Sequence, residues 1–422
     1  MSNQSTKNSG MNDDGMLNAE TQRKLPQGKI SQPKLRFKGF TDPWQQRKLE
    51  ELLIPAKAKN VDGKFTKNDV LSVSGEFGIV NQIALQGKSS AGESVLPYSV
   101  VNWGDAVYTK SPLKEAPYGI IKVNQGRAGI VSTLYAVYTL RQHLIVPVFL
   151  ELYFDSNVRL NNYLKPLVNK GAKNDMKVKN VDVLKGHIHI TPNVVEQARI
   201  AEFFRVLDDR IAAAKKKADL LKLKKRYYLQ AIFSQQLRFK GFTEPWQQRK
   251  LGELLSVRKE TTTTPTLYRI DIELENLQED GGLVGDTTVR TNSTSVFRRG
   301  DVLFGRLRPY LRKWWLATEP GIRSGEIWAI YSPSRVLISS FVYALVQSPI
   351  FLQVALITSG TKMPRSDWEN IASEAGSLPC SNDEQARIGD FFNKLDNLIA
   401  ASCRKIELLE RCKDAYLQLL FI

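Results

Sequence analysis

The chain has 422 residues, 42% hydrophobic and 24% charged, which suits two to three folded domains and excludes a wholly disordered or fibrous protein. Its 60 Lys and Arg against 43 Asp and Glu give a formal net charge of +17, so the partner to expect is a polyanion, nucleic acid ahead of an acidic membrane surface. Three cysteines (Cys380, Cys403 and Cys412), with no Cys-x-x-Cys spacing, argue against a disulfide framework and for a reducing, cytoplasmic setting.

Residues 1–30 are polar, lack the apolar run of a signal peptide and read as a disordered arm. A repeat follows. Leu35 to Leu53 reads LRFKGFTDPWQQRKLEELL, and Leu237 to Leu255 reads LRFKGFTEPWQQRKLGELL, with only Asp42/Glu244 and Glu50/Gly252 exchanged. A second repeat begins EQARIAEFFRVLD at Glu196 and EQARIGDFFNKLD at Glu384. The offsets are 202 and 188, so the material between the repeated pieces differs in length. The plan is a short aromatic strap, a variable block and a long helix, then the same again. The boundaries this sets are an arm over 1–30, a first head over 31–195 with its strap at 35–53, and a first helix over 196–236. A second head covers 237–383 with its strap at 237–255, and a second helix covers 384–422. Near-identical frames carrying dissimilar blocks suggest one scaffold presenting two different recognition surfaces.

Within the first head, Val70–Val73, Ile79–Ile83, Ala106–Thr109, Gly119–Val123 and Leu134–Thr139 read as strands. In the second, Leu267–Ile270, Asp301–Phe304 and Ile327–Ile330 do so. A faint common frame links the heads. Gly104-Asp105-Ala106-Val107-Tyr108 resembles Gly300-Asp301-Val302-Leu303-Phe304; Phe149, Ser156 and Leu160 match Phe341, Ser348 and Leu352; Gly171-Ala172-Lys173 matches Gly360-Thr361-Lys362. The apolar stretch from Leu337 to Ile357 is broken by Ser339, Ser340, Gln347, Ser348 and Pro349 and reads as a buried helix pair rather than a membrane span.

Basic residues cluster in both heads. The second has Arg290, Arg298, Arg299, Arg306, Arg308, Arg312, Lys313 and Arg323, interleaved with Tyr310, Trp314 and Trp315, and later Lys362 and Arg365. The first has Lys110, Lys114, Lys122 and Arg127 in one region and Lys170, Lys173 and Lys177 around a glycine turn in another. Arginine suits both bidentate reading of guanine and gripping of phosphate, so the candidate DNA-binding set is Lys110, Lys114, Lys122, Arg127, Lys170, Lys173, Lys177, Arg290, Arg298, Arg306, Arg308, Arg312, Lys313, Lys362 and Arg365.

The first long helix places apolar residues at Ile200, Phe204, Leu207, Ile211, Ala214, Ala218 and Leu221, then Tyr228 and Ile232. The second does so at Ile388, Phe392, Leu395, Ile399, Ser402, Ile406 and Leu409, then Tyr416 and Leu420. Steps of four and three over more than four heptads predict a coiled-coil seam, interrupted in both copies by a lysine, Lys225 or Lys413. Asn193 with Glu196 and Ser381 with Glu384 predict capping boxes at the helix starts. The fold class expected is α+β: two globular heads joined by two long antiparallel coiled-coil helices, an internal tandem repeat with pseudo-two-fold symmetry.

Chemistry of the chain's own is not assembled. No Gly-x-Gly occurs, Gly87-Lys88-Ser89 has Gln82 where a phosphate loop needs its first glycine, and no Pro-Asp dipeptide opens a nuclease motif. His187 and His189 have no cysteine nearby and form a poor metal site.

The strap LRFKGFTDPWQQRKL, a variable block, a helix opening EQARIAEFF and the repetition of the whole plan resemble the specificity subunit family of type I restriction–modification enzymes, over roughly residues 35–421. The resemblance implies that each head is a target recognition domain reading half of a bipartite DNA site. It implies that the helices act as spacer and bind modification subunits. Catalysis would rest on partners: methylation by modification subunits using S-adenosylmethionine, and ATP- and Mg-dependent translocation and cleavage by restriction subunits, two of each, with no cofactor or metal on this chain. The rival readings are a stand-alone sequence-specific DNA-binding protein and a nuclease with an unusual site.

Overall fold

Each strap becomes a strand that runs into a single helical turn. The computed structural model describes residues 32–170, 176–288, 293–360 and 362–422; the arm expected over 1–30 lies outside them. The chain divides into two units, one running to Arg205 and including Lys413–Ile422, the other Val206–Cys412.

The first unit opens with β1 (Gln45–Lys48), α1 (Leu49–Leu52) and β2 (Leu53–Pro55) from the strap. Its variable part holds β3 (Leu71–Ser74), β4 (Gly78–Asn81), α2 (Gln82–Gln86), β5 (Ser99–Val101), β6 (Ala106–Thr109), β7 (Ile121–Val123), β8 (Gly129–Val131) and β9 (Tyr135–Leu140). Then come α3 (Pro147–Asp155), α4 (Asn157–Leu164), β10 (Asn169–Lys170), β11 (Met176–Lys177), β12 (His187–Ile190) and the long α5 (Val194–Phe233). The second strap supplies β13 (Gln247–Lys250), α6 (Leu251–Leu254) and β14 (Ser256–Val257). It is followed by β15 (Ile270–Ile272), β16 (Ser295–Phe297), β17 (Val302–Gly305), β18 (Trp314–Leu316), β19 (Gly321–Arg323) and β20 (Ile327–Tyr331). The chain ends with α7 (Ser339–Val346), α8 (Pro349–Ala355), β21 (Thr358–Ser359), β22 (Arg365–Ser366), α9 (Trp368–Ser373), β23 (Ala375–Leu378) and α10 (Asn382–Leu419).

The two heads share one topology despite their dissimilar sequences. The main antiparallel sheet runs β2-β9-β6-β7 in the first and β14-β20-β17-β18 in the second. The smaller sheets also correspond. β8 pairs antiparallel with β5 and meets Val70 in a parallel bridge, as β19 pairs antiparallel with β16 and parallel with β15. The central strands β6 and β17 are buried at every position, which is why both read as continuous apolar runs rather than alternating ones. Two helices cover the main sheet in each head. α3 and α8 begin on a proline, whose missing N–H costs nothing at a helix start. The stretch around 337–357 is the helix pair α7 and α8, largely buried, as its sequence predicted.

Some sequence expectations shift. The strand expected over Ile79–Ile83 stops at Asn81, whose side-chain oxygen accepts from the Ile83 and Ala84 N–H groups and starts α2 instead. The strand expected over Leu267–Ile270 begins only at Ile270, because Pro265–Leu267 forms a tight helical turn. The capping boxes form by half. Asn193 accepts from the Val195 and Glu196 N–H groups, and Ser381 from that of Glu384, but neither glutamate reaches back to its cap.

Those glutamates instead hold the straps. In the first unit Arg36 grips Glu196 through Nε (2.6 Å) and Nη2 (2.8 Å); in the second Arg238 grips Glu384 the same way (2.7 and 2.8 Å). The next residue secures the head. The Gln197 side chain accepts from Val146 N–H and donates to the carbonyls of Leu144 and Thr191. Gln385 accepts from Ile338 N–H and donates to the carbonyls of Val336 and Pro379. The straps close the arrangement as strands, β1 on β12 and β13 on β23, with Gln45 opposite Ile190 and Gln247 opposite Leu378.

Each head's core is finished by the helix belonging to the other repeat. The first core contains Leu417, Leu420 and Phe421 from the end of α10, with Phe421 5.2 Å from Phe149. The second contains Leu229, Ile232 and Phe233 from the end of α5, with Phe233 5.8 Å from Phe341. In the second unit the helices pair antiparallel, since Lys215 meets Glu410 and Lys225 meets Asp396. Ile211, Ala214, Ala218, Ile388, Phe392 and Leu395 are buried at predicted seam positions.

Two outcomes follow from this packing. Glu196→Ala leaves Arg36 without its partner in a half-buried pair and should cost about 3 kcal/mol in chemical denaturation. Arg249→Ala removes only an exposed i,i+4 pair with Glu253 and should cost under about 1 kcal/mol. The start of the first strap also lies against the end of α10. Leu35 N–H donates to Leu419 O at 2.9 Å, repeating the bond from Leu237 N–H to Ala231 O at 3.0 Å where the chain is continuous. A permutant opened between Gln235 and Gln236, with Ile422 linked to Leu35 by about two residues, should fold with unchanged circular dichroism and a Tm within about 5 °C; a molten or aggregated product would show that the join is not equivalent.

Candidate nucleic-acid interface

In the second unit two chain segments meet at one end of the main sheet: the loop 306–313 that joins β17 to β18, and the hairpin β21–β22. Arg306 N–H donates to Glu326 O, Ser366 N–H to Arg306 O (both 2.9 Å) and Arg308 N–H to Pro364 O (2.7 Å), while Leu307 bridges to Arg365. Arg308 and Arg312 bracket the turn Pro309–Leu311, and both adopt left-handed backbone, φ +50° and +51°, an unfavourable region for a non-glycine residue. The turn therefore holds a fixed and strained shape. On it the Arg308 side chain is exposed, as are Tyr310, Lys362 and Met363. A positive charge, an aromatic ring, a second positive charge and a thioether on two tied loops form a tip suited to a polyanion with stacked rings.

The other candidate basic residues described in this head are committed elsewhere, though Arg299, outside that candidate set, is exposed. Arg306 lies half-buried with its guanidinium 5.4 Å from the Trp328 ring centre. Arg365 forks onto Glu326 (2.7 and 3.0 Å), a bond that holds the Glu326 carboxyl below its ordinary range. Arg312 donates to Asp280, and the Lys313 ammonium to Leu274 O, both at 2.8 Å. Arg298 forks onto Glu260 at the other end of β17 from Arg308. Arg323 is 6% exposed and ties strands together through the carbonyls of Ile327 and Arg258; burial pushes its pKa down to about 10. Trp314 is buried and Trp315 half-buried, so Tyr310 alone of the interleaved aromatics stands out from the surface.

The first unit builds its tip from the same two parts, the loop 110–120 between β6 and β7 and the hairpin β10–β11. The Tyr108 hydroxyl donates to Tyr118 O at 2.8 Å and lies 3.7 Å from Met176 Sδ, which places the hairpin against the loop. Lys114 and Leu113 are exposed there and Lys110 is half-buried. Lys173 lies outside the described residues, as does Arg290 of the second unit; Lys170 and Lys177 fall on the hairpin strands. The sequence cluster Lys110, Lys114, Lys122 and Arg127 does not stay together. Arg127 sits in the turn after β7, at the other end of that strand from Lys114, where Asn124 binds the carbonyls of Arg127 and Asn102.

Lys122 turns inward. Its ammonium donates to Asp155 and lies 3.9 Å from Glu151, with side-chain exposures of 12%, 23% and 11% for the three residues. Burial raises the Glu151 pKa against the opposing pull of Lys122. This is a place where two carboxylates meet a lysine, the ingredients the nuclease reading needs, and the three are ion-paired and mostly withdrawn from solvent. His187 and His189 stand on β12 opposite Lys48 and Gln46 of the strap. Among the described residues no group of three or more His, Cys, Asp or Glu could hold a metal, and no helix is long and apolar enough to cross a membrane.

No family model matches the sequence, and no curated protein matches it. Solved structures do. The fold is similar to that of the S subunit of a type I restriction–modification system from M. genitalium, with a TM-score of 0.56 and 14% identity over 93% of this chain and 99% of that one. It is also similar to a chain from a type I restriction–modification system whose complex assembly and conformational transition have been described, with a TM-score of 0.51 and 16% identity over 90% and 98%. The chain thus has the two-headed α+β fold of type I specificity subunits, with its long helices packed together.

The tip can be checked against the opposite end of the same sheet. Arg308→Ala and Lys362→Ala should each weaken DNA binding by the full chain and lower the slope of log affinity against log salt by about 1. Arg298→Ala should leave both unchanged. Equal losses for all three would mean that the positive field as a whole, and not the tip, makes the contact.

Proposed function

We propose that this chain is the DNA-specificity subunit of a type I restriction–modification enzyme, each head reading one half of a bipartite site in double-stranded DNA. The observation that carries the reading is that two heads of one topology present the same two-part tip with different side chains: Arg308, Tyr310, Lys362 and Met363 on one, Leu113 and Lys114 on the other. A scaffold that keeps its frame and varies its tip suits two different sequences read by one chain. The net charge of +17 supplies the sequence-independent attraction that precedes reading.

In this reading the helix pair is a spacer and the seat for two modification subunits, and two restriction subunits complete the assembly in the cytoplasm. S-adenosylmethionine, ATP and Mg act on those partners, and this chain contributes selection of the site rather than bond making. The likeness of the fold to type I S subunits supports it, as does the ion-paired burial of Lys122, Glu151 and Asp155.

Methylome sequencing of a host carrying this chain with its modification subunits should show one methylated bipartite motif. Replacing residues 256–383 by the second block of another specificity subunit should change one half of that motif and leave the other intact. Changes in both halves would sink the two-reader scheme. The purified chain alone, given Mg or S-adenosylmethionine, should neither cut nor methylate DNA. Cutting that vanished in Asp155→Asn would establish the nuclease instead.

A further inference from the structure

Lys225 interrupts the apolar seam of α5 and is 5% exposed. An apolar residue there would serve the helix pair as well or better, because burying an ammonium costs desolvation that its partner only offsets. One contact of Lys225 leads away from the helices. Its ammonium donates to Asp396 on α10 and lies 3.4 Å from Asp280 O, in the loop between β15 and β16. Asp280 has left-handed backbone, φ +57°, and is bound twice to one residue of the recognition loop: its N–H donates to Arg312 O and its carboxylate accepts from Arg312 Nε, both at 2.8 Å. Gly282 N–H adds a bond to Trp314 O at 3.0 Å. Arg312 closes the strained turn that Arg308 opens.

We propose that Lys225 is a positioning residue for the second recognition tip, setting through Asp280 and Arg312 the shape of the turn that presents Arg308 and Tyr310. The proposal rests on the reading of that tip as a DNA-reading surface. A further observation supports it. A cavity of about 450 Å³, lined in part by Lys225, Asp280, Arg312 and Asp396, lies alongside the chain of contacts, so polar bonds rather than close apolar packing hold the loop on that side.

Lys225→Met combined with Asp396→Leu removes both charges at once and so leaves no unpaired buried ion. In the full chain, assembled with its modification subunits in the host, this variant should keep its Tm within about 5 °C. Methylation at sites with one mismatch in the second half-site, assigned by the head exchange above, should rise about tenfold, while mismatches in the first half stay excluded. Asp280→Asn, which weakens the bond from Arg312 Nε, should act in the same direction by about threefold. Equal relaxation of both halves, or a lower Tm with unchanged selectivity, would mark Lys225 as merely structural and overturn the proposal. Wild-type selectivity in both variants would overturn it too, provided Arg308→Ala relaxes the second half-site. If Arg308→Ala also leaves selectivity unchanged, it is the reading of the tip that fails, and the positioning role falls with it.

Discussion

A buried carboxylate at the start of each long helix is the constraint on which the rest hangs. Glu196 and Glu384 are 0% and 2% exposed, and a carboxylate taken that far from water needs a cation and hydrogen bonds to remain charged. Among the described residues a strap arginine supplies the cation in each case, so the strap must lie across the helix start. With the strap there, its strand pairs with the last strand of the head, and the neighbouring glutamine binds two backbone groups at the mouth of the first sheet-covering helix and one just before its own helix. Head, strap and helix are thereby fixed to one another by polar groups that tolerate few alternatives. This accounts for the arginine, the glutamate and the glutamine recurring in both copies.

The same economy explains where variation is free. Ala116, Ile120 and Met176 of the first tip belong to its core, but the exposed positions of both tips lie outside the cores, so side chains there can change without repacking the interior. What they cannot change freely is backbone shape. A turn bracketed by two left-handed arginines admits β-branched replacements poorly, so variation at Arg308 and Arg312 favours unbranched, glycine or asparagine residues.

Much of the fold was legible because duplication printed it twice. The strap, the helices and the seam could be read from spacing alone, and the faint pairing of Gly104 with Gly300 and of Ser156 with Ser348 marked the shared topology that the sheets display. The role of Glu196 and Glu384 was misread because a capping box and a strap clamp use the same residue type three positions after the same cap. The candidate site was less legible. Arg308 and Lys362 belong to one tip although 54 positions separate them, and nothing local distinguishes them from Arg298, Arg312, Lys313 or Arg365. The difference lies in Glu260, Asp280, the Leu274 carbonyl and Glu326, partners that only folding brings up. Met363 carried no charge signal at all.

The crossing of the helix ends into opposite cores bears on synthesis. When the ribosome has finished the first head, the residues that complete its core, Leu417, Leu420 and Phe421, have not been made. At about 5–20 residues per second, roughly 200 further residues take on the order of 10–40 s. For that interval Trp44 and Phe149 lack the ring that covers them. The second head has no such wait, because Phe233 precedes it in the chain. The nascent protein therefore closes its later half first, and the earlier half is the one exposed to chaperones and proteases until Leu417, Leu420 and Phe421 emerge.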